Sequence, residues 1–129
     1  MAPRDVRAFF AGLSDWASAK GRAPHTHRYG GPEHEADLLM PDGERPHRVA
    51  VLLHGGFWRA RFTRATMAAL AVDLADRGWG TWNVEYRRVG SGGGGPETLD
   101  DVRAAIDALT SVEAPLDLAR LVVIGHSAG

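Results

Sequence analysis

Leu121-Val122-Val123-Ile124-Gly125-His126-Ser127-Ala128-Gly129 closes the chain. Four apolar residues in a row, without polar alternation, read as a strand covered on both faces. The pentapeptide after them sets a serine between two glycines, where small residues let the backbone turn sharply. A buried strand ending on such a turn belongs to a parallel sheet with helical crossovers. Working back from it, Leu99, Val102, Ile106 and Leu109 predict a helix over 98–109, and Thr98 with Asp101 resembles a capping box. Residues 81–86 read as a strand. Met67, Leu70, Ala71 and Leu74 predict a helix over 63–76, with Gly78 as its stop. The run 48–53 is another buried strand. Strand-helix-strand-helix-strand predicts an α/β class with a mostly parallel sheet flanked by helices. Chemistry in such a sheet gathers at the carboxyl ends of the strands, where His54-Gly55-Gly56 and Ser127 both fall.

Towards the N-terminus, Val6, Phe9, Phe10 and Leu13 predict an amphipathic helix over 4–19. Residues 21–33 hold Pro24, Gly30, Gly31 and Pro32 and read as loop. A short strand is expected over 34–40, and Asp42-Gly43 signals the turn of a hairpin arm. Together these predict one partial domain over 1–129, with its sheet core in 34–129. The 129 residues carry a formal net charge of −1 and no cysteine. The charge gives no reason to expect nucleic acid or an anionic membrane as partner. The missing cysteines exclude a disulfide framework, a thiolate metal site and a cysteine nucleophile. Lys20 is the sole lysine among many arginines, which reads as coding bias. With no signal-like N-terminus and no run of ~20 apolar residues, the expected location is cytoplasmic.

A serine hydroxyl becomes a nucleophile only when a base takes its proton. Ser127 has the setting of a nucleophile elbow, with the Ala128 amide offered to a developing oxyanion. His54-Gly55-Gly56-Phe57-Trp58 follows the first buried strand. A diglycine there lets amides turn towards a reacting carbonyl, and Gly56 and Phe57 are the candidate donors. Trp58 is a candidate wall of an acyl pocket. His54 reads as holding this loop by hydrogen bonds, and His126 as turned away from the attacking oxygen. His25, His27 and His34 match no metal-ligand spacing and read as solvated loop. Arg59, Arg61, Arg64, Arg87 and Arg88 read as a solvated face. Gly90 to Gly95 satisfies G-x-G-x-x-G and supplies an alternative, a nucleotide-binding half-domain. Arg87-Arg88-Val89 before those glycines and Pro96-Glu97 after them favour a surface loop instead.

Taken together, the chain resembles the N-terminal half of an α/β-hydrolase. It is similar to the esterase/lipase branch that includes kynurenine formamidase-like enzymes and small carboxylesterases. The residues that carry this are His54-Gly55-Gly56-Phe57-Trp58, Glu85-Tyr86-Arg87 and Gly125-His126-Ser127-Ala128-Gly129, with Tyr29-Gly30 ahead of 37–41. The resemblance implies a serine hydrolase of carboxylic esters or (aryl)formamides that works through an acyl-enzyme. Ser127 would be its nucleophile, and Gly56, Phe57 and Ala128 its oxyanion hole. It implies no metal or organic cofactor, and a small ester or amide as substrate, with oligomeric state left open. The acid and histidine base of such enzymes follow the nucleophile in chain order. The 129 residues are therefore expected to be an incomplete and inactive fragment, and a non-catalytic remnant is the second reading.

Overall fold

Val49 and Val51 of strand β3 (His47–Leu53) face one side of a sheet, Ala50 and Leu52 the other, and all four are fully buried. This is the two-sided cover that an unbroken apolar run requires. The computed structural model describes residues 23–56 and 62–129. The helix predicted over 4–19 lies outside these residues, as do Phe57 and Trp58. Strand β3 is flanked by two parallel neighbours, β4 (Gly80–Val84) and β5 (Leu116–Gly125). Beyond β4 lie two antiparallel strands, β2 (Glu35–Leu39) and then β1 (His25–Arg28), giving the order β1-β2-β4-β3-β5. The sheet is thus parallel where helices link its strands and antiparallel where the hairpin adds to it.

Among the described residues each face of the sheet carries one α-helix. A 3-10 turn (Arg64–Met67) leads into α1 (Ala68–Asp76), and the Thr63 hydroxyl accepts from the Ala65 amide to cap it. Met67, Ala71, Val72 and Ala75 pack with Leu39, Ala50 and Leu52. Helix α2 (Gly95–Ala108) covers the opposite face, where Ala105 and Leu109 join Val49, Val51, Trp82, Val84 and Tyr86. None of the helices among the described residues is long and apolar enough to cross a membrane.

Several expectations need correction. Within the predicted loop 21–33, residues 25–28 form β1, because they pair with Leu38 to Glu35 rather than bury side chains of their own. The bend at Asp42-Gly43 closes no hairpin, since β2 pairs with β1 and β4 and not with β3. Strand β5 begins at Leu116, ahead of 121–124; three extra residues loop out where the register jumps from Arg48–Asp117 to Val49–Leu121. Helix α2 begins at Gly95, with Pro96 in the first turn, where its missing N–H is not needed. Thr98 and Asp101 are therefore inside the helix and form no capping box.

Their side chains instead tie the helix to the segment after β4. The Thr98 hydroxyl donates to the Arg87 carbonyl at 2.6 Å and accepts from the Gly94 amide at 3.0 Å. Buried Asp101 accepts from the amide, Nε and Nη2 of Arg87 at 2.8–3.0 Å and from His34 Nε2 at 2.8 Å. Burial alone would push this carboxyl up; the Arg87 bonds and His34 outweigh it and hold it below the ordinary carboxylate range. A folded-state value below the unfolded one means that the ionised group stabilises the fold above about pH 4, and that this is lost as pH falls through the folded value. Asp101→Asn is expected to flatten the acid limb of the stability curve below about pH 4. Urea unfolding at a series of pH values measures it, and an unchanged acid limb would refute the assignment.

Candidate active site

The three parallel strands end level. Leu53 of β3 pairs with Val84 of β4 and with Gly125 of β5, so the next residues, His54, Glu85 and His126, leave the sheet side by side. One residue further on, Ser127 sits at φ +54°, the only positive φ outside glycine among the described residues. A side chain in that left-handed region costs roughly 1–2 kcal/mol, so the surroundings must enforce it. The His126 amide donates to the Leu53 carbonyl at 3.1 Å, and the Gly129 amide to the His126 carbonyl at 3.0 Å. A β-carbon on Gly125 would lie 2.5 Å from the Gly129 carbonyl carbon, and one on Gly129 would lie 2.6 Å from the His54 carbonyl oxygen. Both glycines of the pentapeptide are therefore required by contact.

The same test locates the diglycine. A β-carbon on Gly55 would lie 2.5 Å from the His126 carbonyl oxygen and 3.0 Å from Ser127 Cβ. The bend after β3 and the serine after β5 thus pack against each other at one rim of the sheet. Gly56 follows at φ +121°, closed in by the Phe62 side chain. Gly55→Ala is expected to push the serine turn off the bend, and a displacement near 1 Å lowers turnover by up to about 10²-fold. Steady-state ester hydrolysis by the complete gene product measures this; full activity in the variant would show that the contact is not needed.

Behind the bend lies a buried ionic cluster. His54 and Glu85 have side-chain exposures of 1% and 5%, and His54 Nε2 meets Glu85 Oε1 at 2.8 Å. His54 Nδ1 lies 2.8 Å from the Gly55 carbonyl oxygen. The Tyr86 hydroxyl donates to the His54 carbonyl at 2.6 Å, and its ring stacks on the imidazole at 4.5 Å. Glu85 also meets Arg88 Nη1 at 3.2 Å and accepts from the Arg64 amide at 3.1 Å. Burial would raise the Glu85 carboxyl, but His54, Arg88 and the Arg64 amide outweigh it and hold it below its ordinary value. Arg64 reaches on to Glu35 at 3.0 Å and Asp37 at 2.9 Å, and Arg88 to Glu33 and the Phe62 carbonyl.

The structure brings Gly56, Ser127 and Ala128 to one rim; Phe57 and Trp58 lie outside the described residues. His54 does hold the diglycine loop. Arg64 and Arg88 form no solvated face, because each pairs with the buried Glu85 carboxylate. Among the described residues no group of three His, Cys, Asp or Glu could hold a metal. The loop at Gly90–Gly95 bonds to itself: the Ser91 and Gly93 amides donate to the Arg88 carbonyl and the Gly94 amide to Thr98. Those amides are engaged within the turn instead of facing a phosphate. The Glu85–Arg88–Arg64 cluster is what residue-by-residue reading misses. Its one signal is an acidic residue continuing a buried strand directly after Val84.

Sheet, flanking helices and serine turn define an α/β-hydrolase fold, of which the chain supplies part. The chain belongs to the BD-FAE family, whose model matches residues 36–129. It is similar to esterase B of Lactobacillus rhamnosis, at 21% identity and a TM-score of 0.78, covering 95% of this chain and 43% of that one. A bacterial heroin esterase is similar at 24% identity and a TM-score of 0.73, covering 95% and 42%. An esterase of the planctomycete Thermogutta terrifontis follows at 19% identity and a TM-score of 0.72, covering 82% and 41%. The chain therefore spans less than half the length of each of these structures. No curated protein matches it.

Proposed function

We propose that the complete protein is a serine hydrolase of carboxylic esters or (aryl)formamides. The observation that carries this is Ser127 at φ +54°, packed against the diglycine bend. Ser127 Oγ attacks the substrate carbonyl as a base takes its proton. The carbonyl oxygen becomes an oxyanion held by the amides of Gly56, Phe57 and Ala128. Collapse expels the protonated alcohol or amine, and water then hydrolyses the acyl-serine. On this reading the histidine and the acid follow Ser127 in chain order, beyond Gly129. Among the described residues strand β5 lies at the edge of the sheet, and its Val122 and Val123 are 41% and 50% exposed.

A fluorophosphonate probe applied to the complete gene product should label Ser127, and Ser127→Ala should abolish the adduct. Labelling that survives the substitution defeats the proposal. Matched aryl ester and aryl formamide substrates then decide between the two acyl classes. The 129-residue stretch alone is expected to hydrolyse neither above a Ser127→Ala control. It is also expected to associate through its apolar β5 edge, which light scattering detects.

A further inference from the structure

Catalysis as proposed uses the front of the diglycine bend and leaves the buried cluster behind it unexplained. The hydrogen-bonding partners of His54 suggest a use. A carbonyl oxygen only accepts, so the 2.8 Å contact with Gly55 places a proton on Nδ1. Glu85 is surrounded by the Arg88 guanidinium at 3.2 Å, the Arg64 guanidinium at 3.5 Å and the Arg64 amide at 3.1 Å. Such a carboxylate is ionised and also only accepts, so its 2.8 Å contact places a second proton on Nε2. His34 provides the contrast within the same chain. Its Nδ1 accepts from the Gly31 amide at 2.7 Å while Nε2 faces Asp101, the pattern of a neutral ring.

We propose that Glu85 holds His54 as an imidazolium, which donates to the Gly55 carbonyl and polarises the Gly55–Gly56 peptide towards the oxyanion site. The carbonyl of Gly55 and the amide of Gly56 belong to one peptide unit. Drawing electron density onto its oxygen makes its N–H a stronger donor, as in any polarised chain of hydrogen bonds. Glu85 and His54 are then positioning residues, acting through the Gly56 backbone. The cation is accommodated by its surroundings. Glu85 faces it directly, Tyr86 stacks on it with 15° between the rings, and Arg64 and Arg88 are balanced in turn by Glu33, Glu35 and Asp37. This inference rests on Gly56 being an oxyanion donor, as the proposed function has it.

The test is NMR of the complete gene product labelled with ¹⁵N in its histidine rings, at neutral pH. His54 should show two protonated ring nitrogens and His34 one protonated and one bare. A bare nitrogen on His54 in the unaltered protein overturns the inference without any variant. Glu85→Gln removes the counter-charge, and its amide can donate to a bare Nε2. In that variant His54 should become neutral and the Gly56 amide proton should move upfield. Turnover should fall about tenfold at unchanged KM, well short of the ~10²–10³ that loss of an oxyanion donor brings. A folded Glu85→Gln protein with an unmoved Gly56 resonance also overturns it. Failure of Ser127 labelling would instead sink the hydrolase reading and leave the ring spectrum of His54 as it is, so the two failures are distinguishable.

Discussion

Replacing Ser127 by alanine is expected to lower turnover of an activated ester by the complete gene product by about 10⁶-fold, the scale on which loss of a nucleophile acts. The fold should barely notice. Alanine in the left-handed region carries nearly the same conformational penalty as serine, so unfolding free energy should change by less than about 1 kcal/mol. Ser127→Gly separates chemistry from strain. It forfeits the same turnover, but glycine adopts φ +54° freely, so the folded state gains roughly 1 kcal/mol, partly offset by the greater entropy of the unfolded chain. The comparison requires ester kinetics and urea unfolding of both variants. Substantial turnover in either would remove Ser127 from the mechanism. A glycine variant less stable than the alanine one would show that the turn holds no strain.

The largest structural effect is expected at Trp82. This residue lies in the middle of β4, is fully buried, and has Leu38 and Val51 as its register partners. Its indole N–H donates to the Ala105 carbonyl at 2.8 Å. Ala105 is in the last turn of α2, where carbonyls run short of intrahelical donors, so Trp82 both fills the core and caps the helix from below. Trp82→Ala should cost about 3–5 kcal/mol, a large share of the stability of an ordinary domain. Trp82→Phe keeps most of the ring volume but orphans the carbonyl, and should cost about 1–3 kcal/mol. Urea midpoints of the two variants check the order; equal losses would mean that the ring's packing contributes nothing beyond the hydrogen bond.

What the chain reveals before folding follows from how each part is held. The valine and leucine run at 48–53 announces β3, because burial on both faces removes polar alternation. The run at 121–124 announces a strand but not its burial, since no residue of β5 is buried and Val122 and Val123 are 41% and 50% exposed. The two-glycine spacing around Ser127 announces its turn, because contact with Leu53, His54 and Gly129 leaves no room for side chains. Strand β1 stays hidden. His25-Thr26-His27-Arg28 is polar and mostly exposed, and only its pairing with β2 makes it a strand. The start of α2 is hidden by its glycines, which read locally as loop. The ionic cluster is hidden for another reason. Glu85 finds His54 and Arg64 across 31 and 21 residues of chain, a proximity that only the level ends of β3 and β4 create.

That edge position of β5 also divides its backbone into two populations. The His126 N–H points towards β3, so by the two-residue period of a strand those of Ile124 and Val122 do as well, while Leu121, Val123 and Gly125 turn theirs the other way. In deuterated buffer, at dilutions where the 129-residue chain does not associate, it should therefore keep protium at every second amide of this strand and lose it quickly at the ones between. In the complete protein, a neighbouring strand would slow the fast set and erase the alternation.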